Sequence, residues 1–117
     1  MAAGKLNLGT RRGATWSTVL TWRNEAAALV NLTGYTAEMD VRTTNEDTGT
    51  QLLTLTTSNG RISLGGAAGT ITLTISATDT ALLTAQTAWY DLLLVSGAGT
   101  VTPLFEGVFV IGPRVTA

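Results

Sequence analysis

From Val30 to Arg42 the chain reads Val-Asn-Leu-Thr-Gly-Tyr-Thr-Ala-Glu-Met-Asp-Val-Arg, a turn running into a strand. Leu32, Thr33 and Gly34 supply the turn. Beyond it, Tyr35, Ala37, Met39 and Val41 fall on one face, and Thr36, Glu38, Asp40 and Arg42 on the other. A strict two-residue period suits an antiparallel strand with one face in a core and one in water. It rules out an amphipathic helix, whose apolar positions recur every three to four residues.

The same vocabulary repeats along the chain. Thr15–Arg23 places Trp16, Thr18, Leu20 and Trp22 on one face, and Gln51–Thr57 and Arg61–Leu64 read as further strands. Thr70–Ser76 alternates most cleanly, with Ile71, Leu73 and Ile75 against Thr70, Thr72 and Thr74. Leu29–Leu32 reads as a short edge strand. Turn signals separate these segments: Asn45–Gly49, Ser58-Asn59-Gly60, Gly65–Gly69 and Ser96–Thr100. Ser76–Thr84 breaks the pattern. There Ser76 or Thr78 is placed to cap a helix of one or two turns, with Asp79 near its positive end. The expectation is an all-β antiparallel sandwich with one short helical turn: an N-terminal arm over 1–13 and a single domain over 14–117. Its core should hold Tyr35, Met39, Val41, Ile71, Leu73, Ile75, Leu92 and Leu94.

The last two strands, Trp89–Val95 and Leu104–Ile111, are apolar on both faces. Tyr90, Leu92 and Leu94 oppose Trp89, Leu93 and Val95; Val108 and Val110 oppose Phe105, Phe109 and Ile111. A two-layer sandwich buries one face of each sheet, so the second face needs cover. The arm, the short helix or a neighbouring subunit would supply it. On the last alternative, Trp89, Leu93, Phe105, Phe109 and Ile111 form an interface. A two-residue loop at Ala98-Gly99 sets Asp91 directly opposite Glu106, where like charges repel. A one-residue change of register removes that clash and puts Trp89 and Leu93 on the face of Phe105 and Phe109.

Charged residues make up only 13% of the chain and the net charge is −1. That composition carries no general attraction to nucleic acid or an anionic membrane. The first four basic residues, Lys5, Arg11, Arg12 and Arg23, all precede the first acidic one, Glu25. Lys5, Arg11 and Arg12 lie on the arm, which is either simply solvated or docks on an acidic partner. Met1–Gly13 lacks the apolar stretch of a secretory signal, and no apolar run reaches the ~18 residues that span a bilayer. Synthesis in a cytosol, without export by the usual route, is therefore expected.

The chain contains neither histidine nor cysteine. This removes the Ser–His and Cys–His nucleophilic pairs and the usual zinc ligands. Asn45, Glu46 and Asp47 crowd one loop but lack the alternate spacing of a calcium loop, so turn chemistry accounts for them better. Asp91 and Glu106 are a carboxylate pair of the kind glycosidase chemistry uses, but on strands that offer no evident cleft. The Gly65–Gly69 turn joins two strands, whereas phosphate loops open a helix. No catalytic residue, metal or cofactor is expected.

Four blocks in order carry a resemblance. They are Asn31–Tyr35 with the strand to Arg42; Gly69–Ala77 followed by Thr80-Ala81-Leu82; Trp89-Tyr90-Asp91-Leu92; and Val101, Leu104, Glu106-Gly107 and Val110. Over about two thirds of its length the chain resembles small tailed-phage virion proteins, and is similar to the N-terminal immunoglobulin-like domain of phage upper baseplate proteins. The resemblance implies an immunoglobulin-like sandwich and a structural role in a virion, as a tail or baseplate adaptor. Its partners would be copies of itself and other virion proteins. A capsid decoration protein is the alternative within that class. A carbohydrate-binding sandwich is the alternative outside it, and would need a tryptophan exposed in a groove.

Overall fold

The alternating segments pair into two sheets that pack face to face. The structure is a computed structural model and describes residues 4–44, 49–84 and 86–112. In chain order the strands are β1 (Gly4–Lys5), β2 (Leu8–Arg11), β3 (Trp16–Thr21), β4 (Thr36–Arg42), β5 (Gln51–Thr56), β6 (Ile62–Leu64), β7 (Thr70–Ile75), β8 (Gln86–Val95) and β9 (Val101–Gly112). A short helix, α1 (Ala77–Ala81), crosses from β7 to β8. One sheet has the order β3-β7-β6. The other runs β9-β8-β4-β5, with β1 and β2 both on the outer side of β9. With β3, β6 and β7 as strands B, D and E, and β4, β5, β8 and β9 as C, C′, F and G, this is the strand order of an immunoglobulin-like sandwich.

Local chemistry sets the elements. Asn31 Oδ1 accepts from the Thr33 amide at 3.0 Å, and the Tyr35 amide donates to the Leu32 carbonyl at 2.9 Å. Gly34 takes the positive φ of 83° that the turn requires, so the chain enters β4 with Tyr35 pointing inward. Ser76 caps α1, its hydroxyl accepting from the Asp79 amide at 3.2 Å. Arg61 then ties three elements together. It donates to Asp79 Oδ2 at 2.6 Å and to the Thr54 carbonyl at 2.9 Å. That hydrogen bond holds the Asp79 carboxyl below the usual carboxylate range.

The core lies between the sheets. Met39, Val41, Leu55, Ile71, Leu73, Ile75, Leu92, Leu94 and Phe109 have no exposed surface. Each such side chain contributes ~1.5–3 kcal/mol relative to leaving it in water. Seven of the eight expected core residues are in this buried set or its cluster; Tyr35 is half-buried, edge-on to Trp22 at 6.0 Å. Trp16 of β3 meets Phe109 of β9 edge-on at 5.3 Å, joining the two sheets.

Three expectations are corrected. Leu29–Leu32 is not a strand; it forms one isolated bridge, Arg23 to Leu29, and its Val30 and Leu32 amides donate to the Trp22 and Gly66 carbonyls at 3.0 and 2.9 Å. The segment expected as an arm instead extends the large sheet. Its strands β1 and β2 run parallel to β9, so the sandwich is not purely antiparallel. The third correction concerns β8 and β9. Next to their turn the register opposes Val95 to Val101 and Leu93 to Pro103. A bulge follows, with Leu104 as the extra residue, and beyond it Leu92 opposes Phe105, Asp91 opposes Glu106 and Ala88 opposes Phe109. One extra residue flips every later side chain to the other face. The charge pair therefore stays, and Phe105, Phe109 and Ile111 turn inward. The loop at 45–48, with Asn45, Glu46 and Asp47, lies outside the described residues.

Candidate interaction face

The outer face of the large sheet gathers most of the chain's unexplained side chains. The register builds it in rows. Arg42, Trp89 and Val108 form one; Thr54, Asp40, Asp91, Glu106 and Lys5 form the next; Thr56, Glu38, Leu93 and Pro103 form a third; Thr36, Val95 and Val101 form a fourth. Trp89, Leu93, Val95 and Val108 are half-buried, while Val101 and Val110 are exposed at 55% and 46%. An apolar strip thus runs along β8 and β9, crossed by a row of three carboxylates.

The acidic row is partly compensated. Lys5 Nζ lies 2.7 Å from Glu106 Oε1 at one end. At the other, the Thr54 hydroxyl donates to Asp40 Oδ1 at 2.8 Å and Arg42 reaches Asp40 Oδ2 at 3.4 Å. Asp91, in the middle, has no such partner in the row. Desolvation first, then the Asp40 carboxylate, raises its carboxyl above the usual range, against the lowering effect of Arg42. Asp40 does the same to Glu38, two residues away on the same face. Asp91 and Glu106 are side by side on an open sheet, as their register required, and not across a cleft. Among the described residues, no cluster of His, Cys, Asp and Glu is arranged to hold a metal ion.

The five expected interface residues separate. Trp89 and Leu93 lie on this outer face. Phe109 and Ile111 are core residues at 0% and 2% exposure, and Phe105 is half-buried against the core. The Leu104 bulge turns all three inward, so Phe109 and Ile111 offer no surface to a partner and Phe105 only part of its ring. Pro103 was the available sequence signal, since proline inside a paired strand is confined to edges and bulges.

The three arm residues separate as well. Lys5 is committed to Glu106. Arg12 donates from Nε to the Leu83 carbonyl and from Nη2 to the Ala81 carbonyl at 3.0 Å, satisfying the acceptors at the end of α1. Arg11 is exposed on β2. The docking of this segment depends on residues that sequence reasoning did not single out. Tyr90 points inward from β8, opposite Gly107, and donates to the Leu6 carbonyl at 2.6 Å. A Cβ on Gly107 would stand 2.3 Å from that same carbonyl oxygen. The glycine is the notch through which the tyrosine reaches the N-terminal strand. Burial pushes the Tyr90 phenol up to about 12.

No protein-family model matches this chain, and comparison with curated proteins also finds no match. Among the described residues no helix is long and apolar enough to cross a membrane.

Proposed function

We propose that this chain is a non-enzymatic structural protein of a bacteriophage virion, a tail or baseplate adaptor that works by packing against copies of itself or another virion protein. The observation that carries the reading is the outer face of the large sheet. There Trp89, Leu93, Val95 and Val108 lie side by side with the exposed Val101 and Val110, on strands whose inner faces already fill the core. Apolar surface of this kind, rimmed by charge, suits a protein contact. A chain with 13% charged residues and a hydroxyl-rich surface also suits close packing in an assembly. The four blocks of the phage resemblance supply the virion part of the reading. They fall on the turn into β4, on β7 with α1, and on β8 and β9, the strands that build the core and this face.

The test is to locate the polypeptide in purified particles, by mass spectrometry and then by density. Repeated copies at a fixed place in the tail, baseplate or capsid surface are the expected result, with the outer face of β8 and β9 covered. Absence of the chain from the particle overturns the proposal. So does a chain whose outer face remains uncovered there.

A further inference from the structure

Among the described residues the two sheets present four open edges, and three are blocked against pairing. At β5, the Thr54 carbonyl accepts from Asn59 Nδ2 at 3.1 Å and from Arg61 at 2.9 Å, and the Thr56 amide donates to Asn59 Oδ1 at 3.0 Å. Those groups are spent. The strand β6 is three residues long. The N-terminal edge is two short pieces interrupted at Leu6-Asn7, and it carries Lys5 and Arg11. Short strands, charges and satisfied backbone are the usual protections of a sheet edge.

The fourth edge, β3, has none of them. It is six residues, Trp16-Ser-Thr-Val-Leu-Thr21, with no charge, no proline and an unbroken register against β7. Its free backbone groups can be assigned. The Thr70 carbonyl accepts from Gly65 and the Thr74 amide donates to Arg61, both on the β6 side of β7. Direction alternates along an antiparallel strand, so Ile71, Leu73 and Ile75 face β3 and meet Leu20, Thr18 and Trp16. Ser17, Val19 and Thr21 therefore turn their N–H and C=O groups outward. Their side chains are exposed too, Val19 at 58%.

We infer that two copies of this chain join through β3, edge to edge and antiparallel, so that their three-stranded sheets become one continuous sheet. A twofold axis through Val19 makes the edge complementary to itself. Val19 then opposes Val19 of the second copy, and Ser17 opposes Thr21 of the second copy. All three are outward-pointing positions, so the pairs exchange about six N–H···O bonds. Every side-chain pair is uncharged, and two β-branched valines meet at the centre. A twofold contact closes on itself, and the short β6 edge at each end does not invite a third copy. The inference rests on the self-association reading above and adds to the outer face of β8 and β9 a second contact, at the β3 edge.

The chain has no cysteine, which makes cross-linking unambiguous. Opposed residues in such a pair have Cα atoms ~5.5 Å apart, within disulfide reach. In the full chain, Val19→Cys should oxidise to a covalent dimer about tenfold faster than Leu82→Cys, which is 79% exposed but off the edge. Val19→Lys sets two ammonium groups against each other and should weaken dimerisation by about tenfold or more in sedimentation. Val19→Thr, which adds no charge, should retain the dimer and controls for folding. An oligomer that survives Val19→Lys, with both cysteine variants cross-linking alike, eliminates the β3 contact and leaves self-association standing. A wild-type chain that is monomeric at every concentration eliminates both.

Discussion

Leu73 sits mid-strand on β7 with no exposed surface, between Ile71 and Ile75 and opposite Thr18 and Ile62. Leu73→Ala should cost ~2–5 kcal/mol, read from the shift in a urea unfolding midpoint. A loss under about 0.5 kcal/mol, the range of exposed sites, would remove the residue from the core. Asp91 makes the opposite kind of prediction. A carboxyl whose folded pKa is raised contributes stability that is complete below its unfolded value and is lost as pH rises through the folded one. At neutral pH the ionised Asp91, directly opposite both Asp40 and Glu106, is therefore a local cost. Asp91→Asn should stabilise the chain by ~0.2–1 kcal/mol at pH 7, with the gain fading as pH falls below the carboxylate range. Unfolding curves for both proteins across pH 3–8 check it; a gain independent of pH would show that charge is not the cause. At this scale the sequence was readable where parity alone decides. Met39, Val41, Ile71, Leu73, Ile75, Leu92 and Leu94 were expected inside and are inside.

Parity alone does not reveal an inserted residue, and that is where the element scale departs from the sequence reading. The alternation of Phe105, Phe109 and Ile111 against Val108 and Val110 was legible, but not which set faces the core. That depends on the pairing register of β9 with β8, and Leu104 shifts it by one. The parallel pairing of the N-terminal strands was hidden for a different reason. Gly4–Arg11 has few apolar residues, and it is held by backbone pairing, the Tyr90 hydroxyl and the Gly107 notch, which are distant in sequence. Gly107→Ala tests that docking. Its Cβ would collide with the Leu6 carbonyl, where the neighbour is backbone and cannot swing aside. Overpacking of this type costs ~1–3 kcal/mol. The amide protons of Leu6 and Arg12, which donate to Glu106 and Gly112 at 3.0 Å, should lose hydrogen-exchange protection. Those of β7 should keep theirs. Unchanged protection at Leu6 would mean that the strand docks without the notch.

The whole molecule is a sandwich whose two halves meet at Phe109 and whose large sheet is apolar on both sides, and a pair of substitutions separates those two properties. Phe109 has no exposed surface and packs edge-on against Trp16 from the other sheet. Truncating such a residue to alanine costs ~3–5 kcal/mol, and an aspartate there adds the cost of an unpaired charge. A domain with ~5–15 kcal/mol in total has little left after that. Phe109→Asp should therefore abolish the cooperative melt, instead of releasing a folded monomer. Leu93 belongs to the outer face, half-buried and opposite Glu38 and Pro103. Leu93→Ser removes apolar surface from that face without touching the filling between the sheets. It should leave a cooperative melt within about 1.5 kcal/mol of the parent. If the outer face is the contact surface, it should also weaken association with copies or with the virion partner, measured by sedimentation or by incorporation into particles. A Leu93→Ser chain that melts like Phe109→Asp would make the outer strip a second core layer. One that folds and assembles like the parent would leave the strip without a role in packing.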